Sequence, residues 1–345
     1  MKIGNKKIGK NFPVYVIAEA GVNHNNDLSL AFKMVDVAKN CGADAIKFQT
    51  FKAENIQLKN SIKPNYQKNI KKNYFNLIKS LESSFEDQKK IFFYCKKKKI
   101  TFLSTPYDDE SLDFLLRLGV PALKISSSDL TNHIFLKKIL KKKKPVILST
   151  GISTQKHVDD AVNLFSKYGM KNKLILVQAT SDYPAPNSDV NLQVLSEFSK
   201  RYQVITGFSD HTKDDTASLG AVALGAKLVE KHFTLNKKFH GPDQSSSLEP
   251  TELKNWIEKI RLMEKSLGTS KKFITSSEIN NQTMRKVLVI KPVTKGTILS
   301  QDMFLTMRGN KNGILPFEKN VKKIIGKKIS RNITTLTQFS WNMIK

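Results

Sequence analysis

Cysteine, arginine and long apolar runs are all scarce in this chain of 345 residues. The two cysteines, Cys41 and Cys95, are too few for a disulfide framework, which indicates a reducing, cytoplasmic location. No apolar run approaches the roughly 18 residues of a membrane-spanning helix. The apolar stretch at residues 14–18 follows a basic start but is too short for a signal peptide, so we interpret it as a buried strand.

Charge is one-sided, with 58 basic against 30 acidic residues and a formal net charge of +28. Such an excess first suggests a nucleic-acid-binding protein. Six of the basic residues are arginine, however, and arginine is the residue whose planar fork suits base edges and phosphates. Because the lysines are spread along the whole chain, we interpret the excess as background. We expect neither a nucleic acid nor a membrane as a partner.

Short apolar runs rich in β-branched residues recur along the first 268 residues, separated by amphipathic stretches with turn signals. The predicted strands are 14–18, 45–49, 101–105, 122–126, 145–150, 174–179, 204–209 and 228–234. Helical patterns such as 28–41, 86–99 and 251–266 lie between or after them. Eight strands that alternate with helices predict a (β/α)8 TIM barrel over residues 1–268, with an insertion at about 50–85 after the second strand.

The character of the chain changes after Gly268. Residues 269–284 are polar and are predicted to form a linker. Residues 285–345 look strand-rich and contain a weak internal echo, in which 293–303 aligns without gaps to 333–343. We therefore predict a small, pseudo-symmetric β-rich domain after the barrel.

Polar side chains are concentrated where the predicted strands end, which is where barrels of this kind carry their chemistry. The strand-end candidates are Glu19, Lys47, Gln49, Thr105, Lys124, Ser127, Ser149, Ser181, Tyr183, Ser209, His211, Glu230 and His232. Lysines within apolar strands are costly to bury unpaired, so Lys47 and Lys124 indicate a bound anion. With the nearby serines they form a plausible phosphate site.

A single histidine is more often a surface or core residue than a metal ligand. His211 and His232, however, end neighbouring predicted strands, where their imidazoles can converge on a divalent ion such as Mn, Co, Zn or Fe. Such an ion polarises a carbonyl, and Glu19 can move a proton. The set favours carbon–carbon bond formation on a phosphate ester over hydrolysis, with activity falling below about pH 6.5 as imidazoles protonate.

Several short motifs occur in order along the chain: EAGVNHN, IKFQT, STP, KISSSD, LSTG, TSDYPAP, GFSDHT, GAVALGA, EKHFT and GPD. As a set they resemble the bacterial sialic acid synthase family, which makes nonulosonic acids from phosphoenolpyruvate (PEP). The C-terminal strings VTKGTILSQDMFLTMRGN and IIGKKISRNI are similar to that family's antifreeze-like (SAF) domain. The resemblance covers nearly the whole chain and implies a transferase of the N-acetylneuraminate or N,N'-diacetyllegionaminate synthase type.

The resemblance also implies roles for individual residues. The PEP-binding residues would be Lys47, Thr105, Lys124, Ser127, Ser149 and Ser209, and the sugar-binding residues Gln49, Ser181, Tyr183, Asp243 and Arg308. His211 and His232 would hold a divalent metal, expected to be Mn²⁺, with Mg²⁺ or Co²⁺ as alternatives. Glu19, Lys47 and Lys124 would be catalytic. The family further implies a domain-swapped homodimer in which the SAF domain, with Arg308, covers the partner's barrel.

Ser181 marks a departure, because neuraminate synthases tend to carry asparagine there, and the contact of that asparagine with the sugar is lost. TSDYPAP and GPDQSSSLEP resemble the legionaminate branch, and retention of GPD argues against the pseudaminate branch. We therefore expect 2,4-diacetamido-2,4,6-trideoxymannose ahead of N-acetylmannosamine as the sugar. Two alternatives stay open: another PEP-condensing barrel that acts on a phosphorylated aldose, and a basic nucleic-acid-binding protein.

Overall fold

Eight parallel strands form a nearly closed barrel that is preceded by a short hairpin, β1 (Lys2–Ile3) and β2 (Lys6–Lys7). The structure, a computed structural model, describes residues 1–63, 73–279, 285–308 and 313–345. It divides into two units, Met1–Gly268 and Thr269–Lys345. Within the described ranges, no helix combines the length and the apolar composition that a membrane span requires.

The barrel strands confirm the eight predicted from the sequence, with ends that differ by a few residues. They are β3 (Tyr15–Gly21), β4 (Ala45–Thr50), β5 (Thr101–Pro106), β6 (Leu123–Ile125), β7 (Val146–Ser149), β8 (Leu174–Ala179), β9 (Ile205–Asp210) and β10 (Leu228–His232). The sheet order is β5-β4-β3-β10-β9-β8-β7-β6, and β5 and β6 lie against each other. The first strand joins the last, as a TIM barrel requires.

Helices follow the strands, and all but α2 and α3 pack against the outside of the sheet. They are α1 (Leu28–Asn40), α2 (Ala53–Ile56), α3 (Tyr74–Leu81), α4 (Phe85–Lys98), α5 (Asp109–Leu118), α6 (His133–Lys141), α7 (Gln155–Lys167), α8 (Gln193–Tyr202), α9 (Thr216–Ala223) and α10 (Pro250–Leu267). The last begins with proline in its first turn and a capping box between Glu249 and Glu252. Both features satisfy or remove the free N–H groups of a helix start.

Two apolar clusters hold the barrel together. The larger lies between the sheet and the helices, as expected where amphipathic helices cover a parallel sheet. The second fills the amino-terminal half of the barrel interior and includes Ile17, Ile147 and Leu228, closed from below by Ile3 and Ile8 of the hairpin segment. The interior is therefore a packed core at this end, which leaves only the carboxyl end for chemistry.

The predicted insertion after the second barrel strand contains α2 and α3. Leu77 and Leu81 of α3 pack with Val22 and Phe51 in a small separate cluster. Residues 64–72 of this insertion lie outside the described residues. The described part of the insertion is thus anchored on the loops that leave β3 and β4.

A three-stranded antiparallel sheet forms the second unit, in the order β12 (Phe304–Arg308), β11 (Arg285–Ile290) and β13 (Thr337–Gln338), with one helix, α11 (Glu318–Ile324). The echo in the sequence has a structural counterpart. Val293 and Ile333, the first residues of the two aligned segments, pair through backbone hydrogen bonds of 2.9 and 2.8 Å. Short 3-10 turns, Gln301–Met303 and Trp341–Met343, then occupy equivalent positions.

Candidate active site

The two-residue period of the strands brings polar side chains into the barrel interior. Side chains along a strand alternate between the interior and the helix layer. In β3, Ile17 belongs to the apolar floor, and Glu19 stands two residues further on. In four other strands, an apolar floor residue is likewise followed two positions later by a buried polar residue. These pairs are Ala45 and Lys47, Ala122 and Lys124, Ile147 and Ser149, and Leu228 and Glu230. The carboxyl half of the interior is polar for this reason.

A cavity of about 480 Å³ opens above this polar layer, a size typical of small-molecule sites. It is lined by Glu19, Lys47, Gln49, Thr105, Tyr107, Lys124, Ser126, Ser127, Ser128, Ser149, Ile152, Ala179, Ser181, Asp182, Tyr183, Ser209, His211, Glu230 and His232. Every site residue that the sequence predicted within the barrel lines this cavity, with the exception of Asp243. The fold thus brings together side chains from all eight strands or the loops that follow them.

Four buried charges form a chain of contacts at the bottom of the cavity. Nζ of Lys47 lies 2.7 Å from Oε1 of Glu19 and 3.5 Å from Oε1 of Glu230, and Nζ of Lys124 lies 3.4 Å from the same Glu230 oxygen. Because two carboxylates balance two ammonium groups, the lysines are not left unpaired in the free protein. Contrary to the expectation from the sequence, the two buried lysines therefore do not by themselves require a bound anion.

Glu230 is the central residue that sequence reasoning left without a role. Besides both lysines, its Oε1 accepts a hydrogen bond of 3.4 Å from Oγ of Ser209. The available signal was a carboxylate inside the apolar run LVEKH of the last strand, opposite two lysines in other strands. Such a group needs buried partners of opposite charge.

The environment separates the pKa values of the two glutamates. Burial raises the pKa of Glu19 to about 7, and the neighbouring Lys47 offsets only part of that effect. Burial would also raise the pKa of Glu230, but Lys124 and Lys47 together outweigh it and hold the pKa well below its usual range. At neutral pH Glu230 is a fixed anion while Glu19 exchanges a proton, which is the pattern of an acid–base site.

Several buried polar atoms in this region have no hydrogen-bond partner among the described residues. They are Oε2 of Glu19, Oε2 of Glu230, Oγ of Ser149 and Nδ1 of His232. Buried polar groups are normally satisfied by protein, water or ligand. Their clustering around one cavity gives water or a polar ligand several groups to bind.

His211 and His232 converge at the wall of the cavity, with ring centroids 5.7 Å apart. Nδ1 of His211 donates to the carbonyl oxygen of Thr180 at 2.5 Å. The second ring nitrogen, Nε2, is therefore the one with a lone pair for a ligand, and it lies 3.3 Å from Oγ of Ser209. Burial lowers the pKa of His211 to about 4 and the pKa of His232 well below its usual value. Protonation of these imidazoles therefore requires a pH below the 6.5 expected from the sequence.

Neutral imidazoles suit a divalent metal ion. Within the described part of the chain, no three His, Cys, Asp or Glu side chains group closely enough to form a metal site. Two imidazoles fit an ion that takes its remaining ligands from water or substrate oxygens. The ring of Tyr183 stacks over His211 at a centroid distance of 4.1 Å and fixes one side of this position.

Serine hydroxyls and a glycine shape the opposite wall. Ser127 begins a 3-10 turn directly after β6, and its Oγ accepts a hydrogen bond of 2.9 Å from the backbone N–H of Gly151. A Cβ on Gly151 would overlap the hydroxyls of Ser127 and Ser181. Residue 151 thus leaves room for the serine side chains that the loops after β6 and β8 bring to this wall.

Two of the predicted sugar-binding residues lie outside the cavity wall. Asp243 stands behind His232, with its Oδ2 3.9 Å from Nδ1 of the imidazole, and burial raises the pKa of Asp243 to about 6. Arg308 is an exposed residue at the end of β12 in the second unit. Their contacts with a sugar stay predictions.

A barrel whose carboxyl end combines buried carboxylates, ammonium groups and imidazoles defines an enzyme that acts on small molecules. Residues 34–272 match the model of the NeuB family. The chain belongs to the NeuB family, which confirms the resemblance seen in its motifs.

Individual relatives cover almost the whole chain. It is 42% identical over 320 residues to N,N'-diacetyllegionaminic acid synthase of Campylobacter jejuni, covering 90% of this chain and 96% of the relative. It is 37% identical over 350 residues to the synthase of the same name from Legionella pneumophila, covering 99% and 98%. Among solved structures, N-acetylneuraminic acid synthetase from Leptospira borgpetersenii in complex with citrate is 35% identical, with a TM-score of 0.72, covering 81% of this chain and 94% of that one.

Proposed function

We propose that this enzyme condenses PEP with an open-chain N-acyl hexosamine to give a nine-carbon nonulosonic acid and phosphate. The observation that carries the proposal is the buried contact chain of Glu19, Lys47, Glu230 and Lys124, set beside two neutral imidazoles in one cavity. The identity of 42% to a diacetyllegionaminic acid synthase supports 2,4-diacetamido-2,4,6-trideoxymannose as the sugar, ahead of N-acetylmannosamine. Gln49, Ser181 and Tyr183 line the cavity where the sugar would bind.

Both anionic groups of PEP have matching partners. Lys47 and Thr105, whose Nζ and Oγ1 are 3.3 Å apart, would hold the carboxylate. Lys124 would hold the phosphate together with the hydroxyls of Ser127, Ser149 and Ser209. Charge-assisted bonds of this kind contribute about 1.5–3 kcal/mol each.

Glu19 is placed to move the protons of the reaction. An incoming PEP anion adds negative charge beside Glu19 and raises its pKa further, so that the bound complex favours the protonated acid. C3 of PEP then attacks the aldehyde carbon, and the aldehyde oxygen takes the proton from Glu19 as the new bond forms. The resulting carboxylate can accept a proton from the water that adds to C2.

Release of phosphate completes the sequence. The tetrahedral centre at C2 carries the new hydroxyl and the phosphate ester, and it collapses to a ketone as the C–O bond to phosphate breaks. The hydroxyl proton leaves with phosphate, so atoms and charge balance. Lys47 and Lys124 hold Glu230 as an anion. This negative charge stabilises the positive charge that develops at C2 during the attack.

His211 and His232 would hold a divalent ion, which we propose to be Mn²⁺, with Mg²⁺ and Co²⁺ as alternatives. When bound, such an ion supplies Lewis-acid polarisation of the sugar aldehyde. Asp243, 3.9 Å from His232, would orient that imidazole through its second nitrogen, as carboxylates commonly do behind metal-binding histidines.

A phosphorylated aldose fits the cavity less well. Of the described residues that line it, Lys47 and Lys124 are the lysines and none is an arginine. Both lysines are already engaged by the two anionic groups of PEP. A second phosphate would meet Asp182 and the carboxylates, with no further lysine or arginine among the described lining residues to pair with it, which disfavours that acceptor.

The direct test is phosphate release from PEP with Mn²⁺ and each of three acceptors. We expect release with 2,4-diacetamido-2,4,6-trideoxymannose, slower release with N-acetylmannosamine and none with mannose 6-phosphate. No release with either N-acyl sugar would refute the proposed reaction. Tight DNA or RNA binding that weakens steeply with salt, without turnover, would support the nucleic-acid alternative instead.

We also propose that residues 285–345 form an SAF-type domain that covers the barrel of a partner chain, with Arg308 contacting the N-acyl group. Its exposure in its own unit leaves its guanidinium available for such a contact. Arg308→Ala should raise KM for the sugar more than KM for PEP. Co-expression of Arg308→Ala with His211→Ala should restore activity, because a swapped dimer then contains one intact barrel under one intact Arg308. Absence of restoration in a confirmed heterodimer would rule out the swap.

A cytoplasmic location completes the proposal. Cys41 and Cys95 are both free thiols. Burial raises the pKa of both, which keeps them in the unreactive thiol form. The chain therefore depends on no oxidising compartment.

A further inference from the structure

A buried ion pair lies directly behind the two imidazoles and takes no part in the chemistry described above. Nζ of Lys231 lies 2.9 Å from Oδ2 of Asp210, and their side chains are 2% and 0% exposed. The two residues are register partners on the adjacent strands β9 and β10. By the alternation of strand side chains they point away from the cavity, toward the helix layer.

The pair has a full set of hydrogen bonds. Nζ of Lys231 also donates to the carbonyl oxygens of Thr212 and Asp214, at 2.7 and 2.8 Å. Oδ1 of Asp210 accepts from the backbone N and the Oγ1 of Thr212, at 2.9 and 2.8 Å. Oδ2 of Asp210 accepts from Ser218 at 2.5 Å. The loop after β9 is thus folded around an ammonium group that belongs to β10.

Stability alone is a poor reason for such a pair. Replacing a buried ion pair with apolar residues of similar volume is often neutral or stabilising, because the charges lose their hydration. What the pair does provide is position. Asp210 immediately precedes His211, and Lys231 immediately precedes His232 and follows Glu230, so a single contact fixes the backbone beneath all three cavity residues.

We propose that Asp210 and Lys231 are positioning residues that set the separation of His211 and His232 and thereby the affinity of the site for a divalent cation. This inference rests on the proposed function to the extent that the two imidazoles hold the ion. The ring of His211 is otherwise held by its Nδ1 contact with Thr180 and by the 3.3 Å contact of its Nε2 with Oγ of Ser209. These contacts orient the ring but do not determine its distance from His232. Groups behind metal ligands typically change metal affinity about 10–100-fold.

The test measures Mn²⁺ binding to the full-length chain by electron paramagnetic resonance of free Mn²⁺, without substrates. In Lys231→Met we expect the Kd for Mn²⁺ to rise about 10–100-fold. PEP affinity, measured by calorimetry in the absence of metal, should stay within about twofold, because Lys231 does not face the cavity. A Kd for Mn²⁺ equal to that of the unmodified protein would overturn the inference.

Arg261→Met is the matched control. Arg261 pairs with Asp44 at 3.0 Å, and Asp44 accepts from the backbone N of Val16 near the amino end of β3. Loss of the Arg261 side chain should lower the melting temperature of the protein and leave its affinity for Mn²⁺ unchanged. An equal loss of Mn²⁺ affinity in Arg261→Met would show that general destabilisation, and not positioning, is responsible.

The double variant Asp210→Leu/Lys231→Met separates position from stability, because it leaves no unpaired buried charge. We expect it to fold and to bind Mn²⁺ as weakly as Lys231→Met does. Full recovery of Mn²⁺ affinity would overturn the inference, since any well-packed pair would then suffice. If Lys231→Met does not fold, this variant decides the question alone. Failure of the unmodified protein to bind Mn²⁺ would refute the metal role of the histidines itself, a result distinct from unchanged binding in the variants.

Discussion

The ammonium group of Lys47 lies 2.7 Å from Oε1 of Glu19, and both side chains are almost completely buried. A carboxylate in such a contact would ordinarily stay ionised, yet burial raises the pKa of Glu19 to about 7. Glu19 therefore changes charge near neutral pH, at a position where an anionic substrate must enter. The ionisation of this one residue links pH to substrate binding.

We predict that the affinity for PEP falls as pH rises through about 7. Glu19 loses its proton in this window, and the added negative charge repels PEP. Because protonated Glu19 favours binding, the loss approaches a limit of about tenfold per pH unit above that pKa. Calorimetric titration from pH 6 to 8.5 measures the affinity for PEP, with Glu19→Gln as the comparison. The glutamine variant should lack this decline, while ionisation of PEP itself affects both proteins equally. Parallel pH dependence in the two proteins would contradict the assignment.

Glu19→Gln should also lower kcat by about 10²–10⁴-fold, the usual contribution of a general acid–base group. Glutamine keeps the size of the side chain but cannot exchange the proton. Phosphate release at saturating PEP and sugar measures kcat. A variant with kcat near that of the unmodified enzyme would show that the proton moves through another group.

Lys124→Met should raise KM for PEP at least tenfold, because a charge-assisted contact worth about 1.5–3 kcal/mol is lost. Glu230 would then keep Lys47 as its remaining lysine partner, 3.5 Å away. Lys142→Met is the control, since Lys142 is an exposed lysine whose nearest carboxylate oxygen, on Asp113, is 4.0 Å away. We expect no change in that variant, which also tests whether the lysine excess is background. Equal KM values in the two variants would remove Lys124 from the PEP site.

Gly151→Ala should weaken PEP binding to the same extent as Ser127→Ala. The added Cβ would displace the hydroxyls of Ser127 and Ser181. We expect the structure of the rest of the barrel to stay the same. Calorimetry with PEP and the thermal unfolding midpoint together check this expectation. Unchanged PEP affinity in a folded Gly151→Ala protein would argue against a phosphate role for Ser127.

Ile152 adopts a left-handed backbone conformation with φ of 54°, although it is β-branched and its residue surface is 82% exposed at the rim of the cavity. That conformation costs about 1–2 kcal/mol in such a residue. Ile152→Asn should therefore raise the free energy of unfolding by about 1 kcal/mol, because asparagine tolerates this region. Ile134→Asn, at an exposed position of α6, should give no gain. If KM for the sugar also rises in Ile152→Asn, the result would indicate that this strained residue contacts the substrate.

The amino-acid sequence by itself determined the eight strands and the side chains that enter the interior. Apolar runs such as LVEKH and AIKFQ identify strands locally, and the two-residue period then places Lys47, Glu230 and His232 on one face. The motifs were also sufficient to identify the family. Motifs and their order are read from the sequence directly and require no knowledge of contacts in space.

Only the tertiary structure decided how these side chains interact. Whether Lys47 meets Glu19, whether Glu230 joins both lysines, and whether Asp210 reaches Lys231 depend on the register between strands, some of which, such as β3 and β10, lie near opposite ends of the barrel sequence. The pKa values depend in addition on burial, which raises the pKa of Glu19 while neighbouring charges lower that of Glu230. Desolvation and pairing across strands are properties of the closed barrel and not of any segment. For that reason the sequence alone indicated Glu19, Lys47, Lys124 and Glu230 but could not assign their ionisation or their partners, and it did not indicate Lys231.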